Sequence, residues 1–221
     1  MAQTFIDLIR QTETELRTEK HRDRVKRWIN RANREICRAY SWPFTETLRS
    51  RATSTATPNY YTLPTDFRLP KSVRIKTSGG SWSSLTVATT SYEDEKSPNQ
   101  TDTDDTPKRA IFTGGLMLIR PGAAVATSTL YLRYYRSAPE LVNEVDVPLV
   151  PDADRDVIVM GAVALGARWL FQDKGDQDRR REEFIDSLKV MVMNYFRDNA
   201  KSQAMAVDSV FAQMVMDGGS V

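Results

Sequence analysis

Cysteine and histidine are almost missing from this chain of 221 residues, which contains one of each, Cys37 and His21. A single cysteine excludes an intramolecular disulfide, and the two residues together cannot supply the four ligands of a structural zinc site. His21 lies among charged residues, which favours a solvated residue at a helix start over a catalytic base. Cys37 is interpreted as a small, partly buried thiol. We expect a protein of a reducing cytoplasm.

Long apolar runs and a strong net charge are missing as well. No run approaches the roughly 18 apolar residues that a membrane span needs, so we expect a soluble chain with no membrane partner. The 31 basic and 29 acidic residues leave a formal net charge of +2, which is too small to draw the whole molecule to nucleic acid. Any electrostatic partner must therefore be recognised by a local patch of charge.

The usual catalytic and ligand-binding motifs are also missing. Asp152, Asp154 and Asp156 imitate the start of a calcium loop, but Val157 stands where such a loop needs glycine. Capping of the following helix explains these acids better. The pair Gly114-Gly115 lacks the lysine and the further glycine of a phosphate-binding loop. We therefore expect no enzymatic activity, no cofactor and no metal.

Helical periodicity occupies both ends of the chain. Apolar residues at intervals of three and four predict one helix from Thr4 to about Leu16 and a second from Lys20 to Tyr40, which ends before Pro43. A third helix is predicted after Asp152, its plausible N-cap, and a fourth runs to about Asn199. The small residues of the third helix should let a neighbouring helix approach closely; they are Gly161, Ala162, Ala164, Gly166 and Ala167.

The middle of the chain has the composition of β-structure, with frequent glycine, proline, serine and threonine. Five or six strands are predicted, around 60–63, 72–76, 84–88, 110–112, 116–119 and 130–135. Gly114-Gly115 predicts a tight hairpin, because paired glycines accept positive φ without steric cost. Residues 92–108 have no apolar pattern and predict a mobile loop.

Together these patterns predict an α+β fold. Residues 1–43 and 142–200 should form a helical bundle domain of four helices, closed from both ends of the chain. Residues 44–141 should form a β-rich insertion domain, either a sandwich or a small barrel. Residues 201–221 are left as a C-terminal tail.

One charge pattern stands out, because five arginines recur on one face of the second helix, opposite its apolar residues: Arg24, Arg27, Arg31, Arg34 and Arg38. The chain up to Pro43 has ten bases and six acids, a net charge of +4, whereas the part from Leu141 onward has nine bases and fourteen acids, a net charge of −5. A solvated face, nucleic acid phosphates and the acidic surface of a neighbouring subunit all fit the arginines. The separation of charge favours the neighbouring subunit, since a ring brings unlike faces together.

The tail carries a second apolar stripe, formed by Val207, Val210, Phe211, Met214 and Val215. Residues 201–206 separate it from the fourth helix, and Gly218-Gly219 end it. Such a stripe either folds back onto the helical core or binds a partner, and its spacing leaves both interpretations open.

Several motifs, taken in order, resemble the head–tail connector adaptors of tailed bacteriophages, including the podoviral tail tubular protein A group. They are the helix Ile29–Ile36, the run Trp42-Pro43-Phe44, the strand ending Tyr61–Phe67, the pair Arg120-Pro121, the run Tyr134–Pro139 and the small-residue helix from Asp152. Each motif is weak alone, but their order and spacing around a helix–β–helix plan are fairly specific. The resemblance covers most of residues 25–172.

The resemblance implies a structural virion protein of the neck, assembled in the host cytoplasm as a ring that is expected to be dodecameric. Such a ring docks on the portal protein and joins it to a tail, nozzle or stopper protein, while DNA passes through without sequence-specific binding. It also implies that a C-terminal segment engages the portal, which here indicates Val207, Val210, Phe211, Met214 and Val215. The alternative is a nucleic-acid-binding module that uses the basic face of the second helix.

Overall fold

The structure is a computed structural model that describes residues 3–52, 60–76, 80–91, 95, 107–120, 128–171 and 173–198. For residues 196–198 it describes the backbone only. The chain divides into two compact units, one made of Met1–Thr45 with Ser137–Val221 and the other of Glu46–Arg136. The first is a helical unit built from both ends of the chain, and the second is a β unit. The predicted α+β class is therefore confirmed.

Helices α1 (Phe5–Leu16) and α2 (Arg22–Ala39) lie close to their predicted limits. At the start of α1, the carboxylate of Asp7 accepts hydrogen bonds from the backbone N–H and the hydroxyl of Thr4, at 2.9 and 2.7 Å. These bonds lower the pKa of Asp7. At the end of α2, the indole N–H of Trp42 donates to the carbonyl of Ile36 at 2.6 Å, which satisfies a group that a helix end leaves free.

Helices α3 (Asp156–Leu170) and α4 (Lys174–Asp198) complete the helical unit. The prediction that Asp152 caps α3 is wrong, because Asp152–Asp154 form a 3-10 turn and Arg155 takes the cap position. The Asp152 carboxylate instead accepts the backbone N–H of Gln3 at 2.8 Å. It therefore ties the N-terminus of the chain to the start of α3.

Helix α3 is central, because α1, α2 and α4 each pack against it. A Cβ atom at Gly161 would lie 2.9 Å from the Ala32 Cβ of α2 and 2.9 Å from the Phe184 ring of α4. At Gly166 it would lie 2.5 Å from Leu16 of α1. The predicted close approach at small residues is thus confirmed, and the four helices share one buried core. Their closure into a regular bundle stays a prediction.

The β unit has seven described strands: β1 (Glu46–Ala52), β2 (Tyr60–Thr62), β3 (Phe67–Lys76), β4 (Trp82–Ala88), β5 (Arg109–Thr113), β6 (Leu116–Arg120) and β7 (Thr129–Arg136). Six of them correspond to the predicted strands, and β1 is the one that the prediction omits. Strand β3 runs through Pro70, where the register with β7 shifts. A bulge of this kind accommodates a residue that cannot donate a backbone hydrogen bond.

The strands form one curled sheet in the order β1-β7-β3-β4-β5-β6-β2, in which β4 and β5 are parallel and the other neighbours antiparallel. The guanidinium of Arg51 in β1 lies 5.9 Å from the ring of Tyr61 in β2, so curling brings the two edge strands near each other. This single sheet is closer to the predicted small barrel than to the sandwich. Gly114 and Gly115 form the predicted hairpin with φ of 53° and 79°.

Two predicted segments lie outside the described residues. They are the loop 92–108, except for Glu95, Pro107 and Lys108, and the tail 201–221. The predicted mobility of the loop stays a prediction.

Candidate assembly interface

The basic face of α2 consists of the predicted residues Arg24, Arg27, Arg31, Arg34 and Arg38, all of which are exposed. The opposite side of α2 is buried. Arg31 pairs with Glu35 one turn along the helix, with Nε 2.7 Å from the carboxylate, and Arg27 donates to the carbonyl of Asp23 at 3.3 Å. An exposed pair of this spacing contributes only about 0.2–0.5 kcal/mol. These contacts run along the helix and leave the basic face exposed.

Trp169, at the end of α3, lies beside this face. The guanidinium carbon of Arg24 is 3.7 Å from the centre of the Trp169 ring, and the ring of His21 meets it edge-on at 4.9 Å. Trp169 remains 48% exposed. The cation–π contact fixes the direction of Arg24 and adds an apolar surface to the basic face. Sequence reasoning missed this cluster, because its members come from opposite ends of the chain.

The loop 140–147 is held firmly although it buries few of its own side chains. The buried Asn30 of α2 bonds both the backbone N–H and the carbonyl of Leu141, at 2.8 and 2.9 Å. The carboxylate of Asp146 accepts two backbone N–H groups at the start of the loop, at 2.7 and 2.8 Å, and these bonds lower its pKa. The loop presents three valines that are 68, 76 and 46% exposed, namely Val142, Val145 and Val147.

The acids before α3 have structural partners. The carboxylate of Asp154 accepts the hydroxyl of Tyr195 at 2.9 Å. The buried Arg155 lies beside Asp152 and donates to the carbonyls of Val150 and Gln3, at 3.0 and 2.7 Å. Among the described residues, no group of three or more His, Cys, Asp or Glu side chains is arranged to hold a metal ion.

A groove of about 510 Å³ runs between α1 and α4, over α3, and is called the α1–α4 groove below. Its floor is apolar and consists of Val159, Met160 and Val163 of α3, while Arg10 of α1 and Arg180 of α4 stand at its sides. Met160 keeps 41% of its surface exposed. Sequence reasoning missed the groove, because it arises only where α1 and α4 both pack on α3.

The β unit offers a mixed apolar and charged surface of its own. Trp82 of β4 is 54% exposed and Leu48 of the edge strand β1 is 53% exposed. The carboxylate of Glu46 pairs with Lys71 and with Arg133. The hydrogen bond from Lys71 to Glu46 raises the pKa of that lysine.

Comparison with known families identifies the type of protein to which these surfaces belong. The model of the family described as SU10 adaptor protein matches residues 3–208, which is nearly the whole chain. The chain belongs to the SU10 adaptor protein family. No curated protein matches the chain.

Membership of the SU10 adaptor family makes this chain a phage adaptor, and hence a structural component of the virion that interacts with other virion components. The expectation of a phage adaptor is thereby confirmed, but the narrower expectation of a podoviral tail tubular protein A is not supported by the match. Within the described part of this SU10 adaptor, no helix is long and apolar enough to cross a membrane.

The structure describes one of the two predicted interaction sites of the SU10 adaptor and not the other. The basic face of α2 is described and exposed. Cys37 on the same helix is 1% exposed and therefore more deeply buried than its position indicated. The C-terminal stripe, predicted to bind the portal, lies outside the described residues; it comprises Val207, Val210, Phe211, Met214 and Val215.

Proposed function

We propose that this adaptor forms a ring of twelve subunits that docks on the portal protein of a bacteriophage head and joins it to the tail. The observation that carries the proposal is the family match over residues 3–208. In this proposal the protein acts by assembling with its own copies and with the portal and tail proteins. It has no catalytic activity, no cofactor and no membrane partner. It assembles in the host cytoplasm and resides in the neck of the virion, where DNA passes through the ring without sequence-specific binding.

The lateral contact of the proposed ring is the basic face of α2 against acidic residues of the next subunit. This assignment is supported by the exposure of Arg24, Arg27, Arg31, Arg34 and Arg38. It is also supported by the net charge of −5 from Leu141 onward, with nine bases and fourteen acids. Head-to-tail contacts that join unlike faces generate closed rings when the rotation between subunits closes.

The two ends of the proposed connector have different chemistry. The C-terminal stripe binds the portal as an amphipathic segment bound in an apolar groove, a common mode of peptide recognition. The β unit contacts the tail, nozzle or stopper protein, which its exposed Trp82 and Leu48 support. Aromatic anchors with a polar surround are typical of protein interfaces.

We assign these separate contacts to two folding domains with the predicted limits. The first consists of residues 1–43 with 142–200, and the second of residues 44–141. The compact units Met1–Thr45 with Ser137–Val221 and Glu46–Arg136 support it. Within the first domain we propose that the four helices close into a bundle around α3.

Electron microscopy of this chain mixed with the portal protein of the same virus tests the proposal. The expected result is a portal particle with an added ring of twelve subunits. A matched variant, Phe211→Asp with Met214→Asp, should retain its helical circular dichroism and lose the added density. A parent chain that adds no density contradicts the adaptor ring. A variant that still docks contradicts only the assignment of the stripe.

The alternative is a nucleic-acid-binding module that uses the basic face of α2. The exposed Trp169 beside Arg24 favours it, since a ring next to arginines can stack on a base. This alternative predicts that affinity for DNA falls steeply with salt, and that the slope shrinks when Arg27 and Arg31 are replaced by Gln. Absence of salt-dependent binding excludes it.

A further inference from the structure

The α1–α4 groove leaves apolar surface open on the helical unit. Val159 and Val163 of its floor are buried at 8% and 4% exposure, but Met160 between them is 41% exposed. The Met160 sulfur lies 3.0 Å from the hydroxyl of Ser187 on α4, so the floor is bounded on that side by α4 itself. A volume of about 510 Å³ is in the range of cavities that accept several side chains of a ligand.

The rim of the groove also holds an unused hydrogen-bond donor. The Nε atom of Arg180 is buried and has no hydrogen-bond partner in the part of the chain that the structure describes. Another nitrogen of the same guanidinium lies 3.9 Å from the carboxylate of Glu15 on α1. A buried donor without an acceptor is costly, so a polar group of a ligand bound in the groove would be stabilised by accepting from Arg180.

The chain itself leads toward the groove. Gln177 in the first turn of α4 donates to the carbonyl of Phe171 at 2.6 Å, and Tyr195 in its last turns bonds Asp154 at 2.9 Å. Helix α4 is therefore antiparallel to α3, and the chain leaves it beside the start of α3. Asp156, which lines the groove, lies at that same end.

The C-terminal segment has the length and spacing to occupy the groove. Residues 199–206 can span up to roughly 26 Å when extended, at about 3.3 Å per residue, which is enough to reverse direction. In a helix, the stripe from Val207 to Val215 would extend over roughly 12 Å, against roughly 10 Å for the α3 segment from Asp156 to Val163. Its members recur at the spacing i, i+3, i+4, i+7, i+8 of a helix that lies in an apolar groove.

We propose that the α1–α4 groove is the binding site of the chain's own apolar C-terminal stripe, which covers Met160 before the adaptor meets its partner. Val207, Val210, Phe211, Met214 and Val215 lie on Val159, Met160 and Val163, and a polar group of the segment accepts from Arg180. This inference does not depend on the portal. If the stripe also binds the portal, it must first leave the groove, so that groove and portal compete for one segment.

Two cysteine pairs in the full chain test the inference. Met160→Cys with Phe211→Cys joins the groove to the stripe. The matched control, Met193→Cys with Phe211→Cys, replaces a methionine that is 64% exposed and lies on the side of α4 opposite its buried residues. The native Cys37 is 1% exposed and stays in place. Disulfide formation under mild oxidation is followed by peptide mass spectrometry, and non-reducing gels separate links within a chain from links between chains.

The groove pair should form its link within one chain at least tenfold faster than the control pair. Equal rates for the two pairs, or links mainly between chains, overturn the inference. A second measurement leaves the groove residues unchanged: peroxide should oxidise Met160 more slowly than Met193 in the parent, and Phe211→Asp should accelerate Met160 alone. If Met160 is oxidised at the same rate in the parent and in Phe211→Asp, the inference is also overturned.

Separate experiments distinguish this inference from the proposed function. The cross-linking rates and the oxidation of Met160 need no portal, whereas docking on the portal is measured with the parent chain, in which Phe211 is unchanged. Fast linkage together with a parent that adds no density leaves the groove inference standing and contradicts the adaptor ring, and a parent that docks together with equal linkage rates does the reverse.

Discussion

Gly161 lies at the point where α2 and α4 both reach α3, and it predicts a stability effect opposite to ordinary helix propensity. Gly161→Ala should gain roughly 0.5–1 kcal/mol from the backbone. It should lose roughly 1–3 kcal/mol from overpacking, because the new methyl group would lie 2.9 Å from Ala32 and from Phe184. We expect a net loss of about 1 kcal/mol, measured as a melting temperature lower by about 2–4 °C.

Gly175→Ala is the matched control for this substitution. Gly175 lies in the first turn of α4, and the nearest atom to an added Cβ is the Asp173 carboxylate at 3.4 Å, an ordinary contact. Its melting temperature should stay the same or rise slightly. A Gly161→Ala protein as stable as the Gly175→Ala protein would show that α3 has room at this contact.

Asp146 predicts a dependence of stability on pH. Backbone N–H groups of Val142 and Asn143 lower its pKa in the folded protein, so the charged carboxylate stabilises the loop that carries the exposed valines. This contribution is complete above the pKa of the unfolded chain and is lost as the pH falls through the lower pKa of the folded chain. Asp146→Asn should therefore lower the melting temperature at pH 7, and the difference from the parent should shrink toward pH 3.

Thermal unfolding followed by circular dichroism between pH 7 and pH 3 measures this effect. Asp178→Asn, which removes an exposed aspartate of α4, is the control for the general loss of a charge. A difference between parent and Asp146→Asn that stays constant across this pH range would mean that the carboxylate does not hold the loop.

At the scale of elements, the sequence predicted the helices better than the sheet. Helix α2 was predicted over 20–40 and found at Arg22–Ala39, because a helix depends on local periodicity and on breakers such as Pro43. Strand β1 (Glu46–Ala52) was missed, since it is an edge strand whose last five residues are exposed and show no alternation. The cap predicted at Asp152 was wrong, because its carboxylate accepts a hydrogen bond from the backbone N–H of Gln3, a residue distant in the sequence.

Strand order could not be predicted, because pairing depends on contacts between residues distant in sequence. Strands β4 and β5 are parallel neighbours, and the segment between them in sequence contains the loop 92–108. No local sequence pattern predicts this pairing. The hairpin at Gly114 and Gly115 was predictable, because both residues have positive φ, which glycine accepts readily. The same contrast applies to the candidate interface. The basic face was predictable because it lies on one helix, whereas the α1–α4 groove depends on the packing of three helices.

At the scale of the whole molecule, unlike charges lie in different parts of the chain. The N-terminal part up to Pro43 has ten bases and six acids, and the part from Leu141 onward has nine bases and fourteen acids. Both parts contribute to one helical unit. Charges of this kind steer association and fix register more than they add affinity, so their effect should appear in assembly and not in folding.

The lateral contact of the proposed ring is tested by Arg27→Glu with Arg31→Glu. Both side chains are exposed, so the variant should unfold at nearly the parent's temperature. Reversal sets like charges against each other at the contact and should weaken subunit association at least tenfold, or about 1.4 kcal/mol. Native mass spectrometry, on the chain alone and on portal particles, measures the loss of rings.

Arg74→Glu with Lys76→Glu, on exposed positions of β3, is the control. It changes the net charge equally and should leave the rings intact, because these residues lie outside the basic face. Rings of the α2 variant that match the parent's in number and salt resistance would exclude the basic face as the lateral contact.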